Sequence, residues 1–256
     1  MSEDKFLPTS RFLRREEARA RELAHVWNEK LNDVFTEIAP YYSVASNLAS
    51  FGVFSGWRSL LVGTIDVSAG DSVLDVCAGP NAVGLGLLRR HSEVRMHALE
   101  RNNALLNVGA TRARTLGLTI NSVVGDAHHL PYEDGCFDAI TMMWAGRHLR
   151  LIDAFSEVHR VLRPGGHFYY GDILRPRDKR LQWLFGSYLN ACVSATALVF
   201  RCGSEARQCR DYFVQGMNLH YSAQEISDLL RELGFKDISM KTAPGGILGL
   251  HRAGRN

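Results

Sequence analysis

Three acids stand out as the residues most able to do chemistry, because each closes a short β-rich run: Asp75, Glu100 and Asp126. Asp75 lies in Ser72-Val73-Leu74-Asp75-Val76-Cys77, Glu100 follows Val94-Arg95-Met96-His97-Ala98-Leu99, and Asp126 follows Val123-Val124-Gly125. After the first run the chain turns through Ala78-Gly79-Pro80-Asn81-Ala82-Val83-Gly84, small residues that let backbone approach a ligand at the carboxyl end of a sheet. This turn is not a dinucleotide fingerprint. Gly79, Gly84 and Gly86 miss the G-x-G-x-x-G intervals, and Asp75 beside them would repel a pyrophosphate.

A carboxylate at that position favours a cation instead. Glu100 can accept both hydrogens of a ribose diol, and Asp126 falls within reach of an adenine amino group. Taken singly, each acid also reads as a solvated strand-end carboxylate. Together, with no phosphate cradle, they describe a pocket for a cationic adenosine, for which S-adenosyl-L-methionine is the candidate cofactor.

The elements that must hold these acids follow from periodicity. Beyond Gly70 short β-rich runs alternate with helical stretches, the rhythm of a parallel sheet. The pattern predicts strands at 72–77, 94–99, 119–124, 136–143 and 166–172, and helices at 83–91, 102–116 and 151–162. Arg163-Pro164-Gly165-Gly166 supplies a helix stop and a tight turn. Ser222-Ala223-Gln224-Glu225 is a capping box opening a later helix, and two strands near 236–241 and 246–251 flank Gly245-Gly246 as a hairpin, so the sheet should end with an antiparallel strand. Upstream, Leu23, Val26, Trp27, Leu31, Val34, Phe35 and Ile38 form one apolar stripe on a helix that Pro40 ends. The alternating acids and bases of 11–22 read as a solvated helical face.

The fold class is thus α/β, a Rossmann-like doubly wound sheet, mostly parallel with one antiparallel strand near the C-terminus. The division is a helical cap at 1–69 and a cofactor-binding domain at 70–256 with an insert at 175–220. The 256 residues suit one such domain with additions, and 46% hydrophobic against 22% charged residues excludes disorder of the whole chain. A net charge of +3 makes nucleic acid a poor partner, and neither an N/D-P-P-Y/F tetrapeptide nor a Pro-Cys nucleophile is present. The five cysteines are odd in number and contain no C-x-x-C, which points to a reducing cytoplasm; no targeting segment is visible. His128-His129 lacks a third ligand, so no metal is expected.

At 75–81, 125–132, 137–140 and 161–166 the runs D-V-C-A-G-P-N, G-D-A-H-H-L-P-Y, F-D-A-I and V-L-R-P-G-G resemble the successive motifs of class I S-adenosylmethionine-dependent methyltransferases. The nearer resemblance is to the UbiE-like C-methyltransferases of ubiquinone and menaquinone biosynthesis. It is carried by Val34-Phe35, Tyr42, Ser50-Phe51-Gly52 and Trp57-Arg58 upstream, and by Gly234-Phe235, Gly245-Gly246-Ile247 and Leu250-His251-Arg252 at the end. Similarity spans roughly residues 33–252 and is poorest over 177–218.

The resemblance implies Asp75, Gly79 and Pro80 at the methionine end, Glu100 at the ribose and Asp126 with Ala127 at the adenine. Cys77, Arg101 and Met143 complete the expected cofactor contacts. It implies Arg147, His148 and Tyr42 at the acceptor, a small aromatic, quinol-like or prenylated molecule. Arg147 would stabilise a phenolate, and His148, with an ordinary pKa near 6.5, would serve as base. The chain departs from the family where Gly-Gly-Thr-Gly becomes Ala78-Gly79-Pro80-Asn81 and F-G-L-R-N becomes Trp144-Ala145-Gly146-Arg147-His148.

Other readings stay open: an O- or N-methyltransferase of a secondary metabolite or phospholipid, or a non-catalytic scaffold that keeps the fold. Leu181 to Phe200 carries no charge yet is too polar for a confident membrane span. Arg175, Arg177, Lys179 and Arg180 precede it and Arg201 and Arg207 follow, so 175–210 reads either as a prenyl-receiving lid touching an anionic membrane or as a core or homodimer helix.

Overall fold

The computed structural model describes residues 8–199 and 210–256. Seven strands form one sheet in the order β3-β2-β1-β4-β5-β7-β6: β1 Ser72–Val76, β2 Arg95–Glu100, β3 Asn121–Val124, β4 Phe137–Met143, β5 Leu162–Ile173, β6 Lys236–Thr242 and β7 Leu248–Gly254. Adjacent pairs from β3 to β5 are parallel, while β7 lies between β5 and β6 and is antiparallel to both. The antiparallel strand expected at the C-terminus is therefore β7.

Side-chain alternation makes the sheet two-faced. Leu74, Val76, Ile140, Met142 and Phe168 pack with the helices Leu151–Val161 and Ala223–Glu232. Val73, Ala139, Met143 and Tyr169 pack on the opposite side with Val53–Thr64 and Ala82–Leu88. The chain moves outward from β1 through β2 to β3 and then returns to β4 on the other side of β1. That reversal opens a crevice at the carboxyl ends of β1 and β4.

Most element boundaries match their sequence signals. The capping box is present, with Ser222 N–H donating to Glu225 Oε2 at 2.7 Å and Glu225 N–H donating to the Ser222 hydroxyl at 3.4 Å. β5 begins earlier than predicted, because Leu162 already pairs with Phe137 and the Pro164-Gly165-Gly166 run becomes a register shift inside the strand instead of a turn before it.

The N-terminal segment corrects the sequence reading more sharply. Helix starts at Ser10, continues through a π turn at Val26–Lys30 and ends at Ile38, two residues before Pro40. Leu23, Val26, Trp27, Leu31 and Val34 are buried as expected, with Tyr212 among them. The charged stretch is solvated at Arg11, Arg14, Glu17, Arg21 and Glu22, but two of its charges are not: Glu16 is 3% exposed and Arg19 is 0% exposed. Both residues satisfy backbone groups of the segment that follows β4. Glu16 accepts the Leu151 N–H that opens the helix Leu151–Val161, at 2.9 Å, and Arg19 donates to Gly146 O at 2.9 Å.

Candidate active site

Two adjoining cavities occupy the crevice and the space under the N-terminal helices, with volumes of 540 and 500 Å³. All nine residues predicted to bind cofactor, Asp75, Cys77, Gly79, Pro80, Glu100, Arg101, Asp126, Ala127 and Met143, line the first.

β1 delivers Asp75 into a buried position, where Oδ1 accepts the Thr141 hydroxyl at 2.6 Å across the β1–β4 register pair. Its Oδ2 is buried with no hydrogen-bond partner. Burial lifts the Asp75 carboxyl to about 7, against the opposing pull of its hydrogen bonds. A cation is what such a group lacks. Cys77, Gly79 and Asn81 then take left-handed backbone, with φ of 56°, 52° and 55°, which folds the turn tightly over the strand end.

Glu100 ends β2 and binds this turn. Its Oε2 accepts the Gly79 N–H at 2.9 Å and its Oε1 accepts the Asn102 N–H at 2.8 Å. Each carboxylate oxygen has capacity for a second donor, so a diol can still be held. Burial raises the Glu100 pKa and these backbone donors oppose the rise. Asp126 is different: the His128 ring and backbone N–H both reach its Oδ1, at 2.6 and 3.0 Å, and hold its carboxyl well below the usual range. Asp75, Glu100 and Asp126 therefore stand in three distinct electrostatic settings. An orphan carboxylate oxygen, a half-satisfied carboxylate and a firmly ionised one fit a sulfonium, a diol and an amine in turn.

The second cavity is walled by Ile173, Leu189, Val193, Met217, Ile247 and Arg147, among others. Phe35, Tyr42, Ser46, Phe54 and Trp144 border both cavities. Tyr42 thus stands between the chambers, its hydroxyl pKa raised by burial. His148 and Arg147 are adjacent in sequence but face different spaces, His148 the first cavity and Arg147 the second. Arg147 Nη1 lies 3.5 Å from Asp172 Oδ1, and its guanidinium carbon is 5.8 Å from the Phe213 ring centre. Asp172 is fully buried. Burial of Asp172 alone would raise its pKa, but His220, Arg147 and the Tyr170 hydroxyl overcome this and lower it.

His148 corrects the pKa assumed from sequence. The ring stacks on Tyr212, meets Phe35 and Phe213 edge-on, and shares a 2.5 Å hydrogen bond between Nδ1 and Tyr212 Oη. Desolvation, reinforced by Arg147, pushes its pKa well below the ordinary 6.5. The imidazole is neutral at pH 7, yet a weaker base than free histidine.

A family model of the ubiE/COQ5 methyltransferases matches residues 23–255. The chain belongs to that family. It is an S-adenosylmethionine-dependent methyltransferase, and its relatives cover nearly the whole fold. A protein of Idiomarina loihiensis named ubiquinone/menaquinone biosynthesis C-methyltransferase UbiE is 27% identical over 232 residues, 88% of this chain and 91% of that protein. A Drosophila melanogaster protein named 2-methoxy-6-polyprenyl-1,4-benzoquinol methylase, mitochondrial, is 26% identical over 87% of this chain and 79% of its own length. Among solved structures, the [4+2]-cyclase SpnF superposes with a TM-score of 0.60 at 16% identity, covering 78% of this chain and 79% of its own. A Streptomyces coelicolor geranyl diphosphate C-methyltransferase superposes with a TM-score of 0.57 at 18% identity, covering 79% of each chain. These superpositions establish the class I fold.

Within this ubiE/COQ5-family site, sequence reasoning missed several supports. Asn102 caps the helix Asn103–Thr115 by accepting the Leu105 N–H at 2.9 Å, while its Nδ2 reaches Asn32 O and Thr36 Oγ1, both at 2.8 Å. An Asn just before a helical run was the available signal. His128 was weighed only as a metal ligand, whereas its ring links Asp126 to the Arg150 N–H, which donates to Nε2 at 3.1 Å. Asp172, a lone acid closing an apolar strand, repeats the pattern that marked Asp75.

Proposed function

We propose that this methyltransferase C-methylates a quinol-like aromatic ring carrying an apolar tail. The observation that carries the reading is the pair of cavities, one lined by the acids suited to a cationic adenosine, the other apolar with a single guanidinium, meeting at Tyr42 and Trp144. The printed names of the relatives, a polyprenyl benzoquinol methylase among them, support the same acceptor class.

S-adenosylmethionine supplies an electrophilic methyl group and a neutral thioether leaving group. The protein's own residues must align the acceptor carbon with that methyl and make the ring nucleophilic. Asp75, Glu100 and Asp126 hold the donor, with Gly79, Pro80, Cys77, Arg101, Ala127 and Met143 closing around it. Arg147, on the acceptor side, stabilises the phenolate whose charge enters the ring and activates the neighbouring carbon. The ring carbon would take the methyl with the phenolate's electron pair as the donor's carbon–sulfur pair leaves with the thioether, and the proton on that carbon then passes to the ring oxygen or to solvent, restoring aromaticity. His148, kept neutral by burial, accepts the phenol proton directly or through water, and Tyr42 orients the ring oxygen. Because His148 is a weak base, the positive charge of Arg147 does more of the work.

The rim of the apolar cavity favours a lipid surface as the source of acceptor. Phe51, which lines that cavity, is 85% exposed, and Trp183, Leu48 and Leu184 are exposed on the helices that contribute to its walls. Arg177, Lys179 and Arg180 are exposed at the start of the helix Lys179–Val199. Arg175 does not belong to this rim, since it pairs with Glu225 at 2.7 Å and donates to His220 O at 2.9 Å. Arg201 and Arg207 lie outside the described residues. Among the described residues no helix is long and apolar enough to cross a membrane, so contact would be peripheral.

Transfer of labelled methyl to a panel of demethylquinols, catechols and phospholipid head groups tests the acceptor. Label in an aromatic C–CH₃ bond is the expected result; label confined to oxygen or nitrogen would replace this reading. Flotation with anionic liposomes, comparing wild type with a variant neutralised at Arg177, Lys179 and Arg180, tests the surface contact. Absence of wild-type flotation counts against it.

A further inference from the structure

Trp144 borders both cavities and is one of the non-glycine residues with left-handed backbone. It follows β4 with a φ of 63°, left-handed backbone that a bulky side chain adopts only when its surroundings fix it. Those surroundings are visible. The Trp144 N–H donates to Gly171 O on β5 at 2.8 Å, and two residues later the Gly146 N–H donates to Asp172 Oδ2 at 2.6 Å. The strained turn is therefore pinned to the end of β5 by two backbone donors.

The strain projects an indole onto the wall between the chambers. It stacks on Phe54 of the helix Val53–Thr64, with ring centres 4.6 Å apart and planes 23° from parallel. Both rings are only partly buried, and both border the donor-side and the apolar cavity. A residue serving only as core filling would be enclosed on every side. Here two nearly parallel aromatic rings instead border both cavities where these meet. Arg147, on the apolar side, provides the cation for a ring oxygen, while Leu189 and Val193 extend the same wall for a tail.

We infer that the Trp144–Phe54 stack is a specificity-determining platform that selects a flat aromatic acceptor and fixes its ring edge toward the donor methyl. The inference deepens the acceptor reading given above and rests on it. Stacking adds binding beyond simple area for a planar partner and little for a puckered one of equal volume. It also restricts the ring to one plane at the boundary between the cavities, which is the geometric condition for in-line transfer.

The test is calorimetry on the full chain with S-adenosylhomocysteine bound, using 1,4-naphthoquinol and the ring-saturated decalin diol of the same skeleton as probes. Wild type should prefer the flat probe. Trp144→Leu should weaken naphthoquinol binding about tenfold while changing decalin diol and S-adenosylhomocysteine binding by less than about twofold. Trp144→Phe should restore most of the preference, and Phe54→Leu, which leaves the strained turn untouched, should reduce it on its own. Equal loss for both probes and for S-adenosylhomocysteine would make the indole a structural residue and overturn the proposal. So would an unchanged preference in Trp144→Leu, or no preference in wild type. A stack-dependent preference in a protein that transfers methyl to no quinol would leave the platform standing and overturn the choice of acceptor instead.

Discussion

Arg19 and Gly146 are 127 residues apart in sequence, yet the Arg19 Nη2 donates to the Gly146 carbonyl at 2.9 Å. From the other side Asp172 accepts the Gly146 N–H, so the loop carrying Arg147 and His148 is held by a cation at its carbonyl and an anion at its amide. No side chain fits at position 146: a Cβ there would collide with the Tyr170 hydroxyl and come within 2.8 Å of Asp172 Oδ2. Arg19 also pairs with Glu16 at 2.6 Å, and both are buried. Removing one partner strands the other's charge. Arg19→Met should therefore cost about 3 kcal/mol in urea unfolding, and Arg19→Met combined with Glu16→Gln should cost less than the sum of the two single changes. Additive losses would show that the pair is not coupled.

Asp75 makes donor binding pH-dependent. Its carboxyl is raised from 3.8 to about 7 in the folded protein, so it is largely protonated below pH 7. A sulfonium favours the ionised form. Donor affinity should rise as pH increases toward 7 and level off above it, and Asp75→Asn should weaken binding at pH 8 and flatten this dependence. The stability sign is the reverse. Between pH 3.8 and 7 the folded state holds the proton more tightly than the unfolded chain, so the Asp75 contribution to stability falls through that window and is constant above it. Calorimetric titrations from pH 5.5 to 8.5 measure the first effect; an unchanged slope in Asp75→Asn would assign it to another group.

His128 ties the end of β3 to the segment that opens the helix Leu151–Val161, because one imidazole bridges Asp126 and the Arg150 N–H. His128→Ala frees the Asp126 carboxylate to rotate and leaves the Arg150 N–H without this acceptor. Donor affinity should drop about tenfold, the scale of one charge-assisted hydrogen bond. His128→Asn, which can keep a donor toward Asp126, should lose less. Equal affinity in wild type and His128→Ala would mean that Asp126 needs no support.

What the sequence made legible was whatever is encoded locally. Strand ends could be read because alternation and small-residue turns mark them within a few residues of Asp75, Glu100 and Asp126, and all three acids line one cavity. The Glu16–Arg19 pair was illegible for the opposite reason. Alternating charges look the same on a solvated helix as on one whose charges satisfy a distant loop, and only the tertiary fold brings Gly146 and Leu151 to them. The π turn at Val26–Lys30 likewise has no local mark, although it decides which residues of the stripe face Tyr212. Trp144 was hidden because left-handed backbone is read from Gly or Asn, and neither occupies the position.

The division of labour between Arg147 and His148 gives the sharpest kinetic expectation. The two face different cavities, and only His148 borders the one lined by Asp75, Glu100 and Asp126. Its ring is anchored by Tyr212, whose hydroxyl also accepts the Trp27 indole N–H at 3.0 Å. A base role requires the tautomer in which Nδ1–H donates to Tyr212 and the lone pair is on Nε2. His148→Ala should then lower kcat by about 10²-fold, the usual scale for a positioned base, and change donor affinity by less than about threefold. Burial already holds the His148 pKa well below 6.5, so the acidic limb of the kcat profile should lie below that value in wild type. Arg147→Met should cost more, since it removes the charge that makes the phenol acidic, and should raise the pH at which the remaining activity appears. Equal losses of turnover and donor affinity in His148→Ala would remove His148 from the chemistry and leave Arg147 to act with solvent alone.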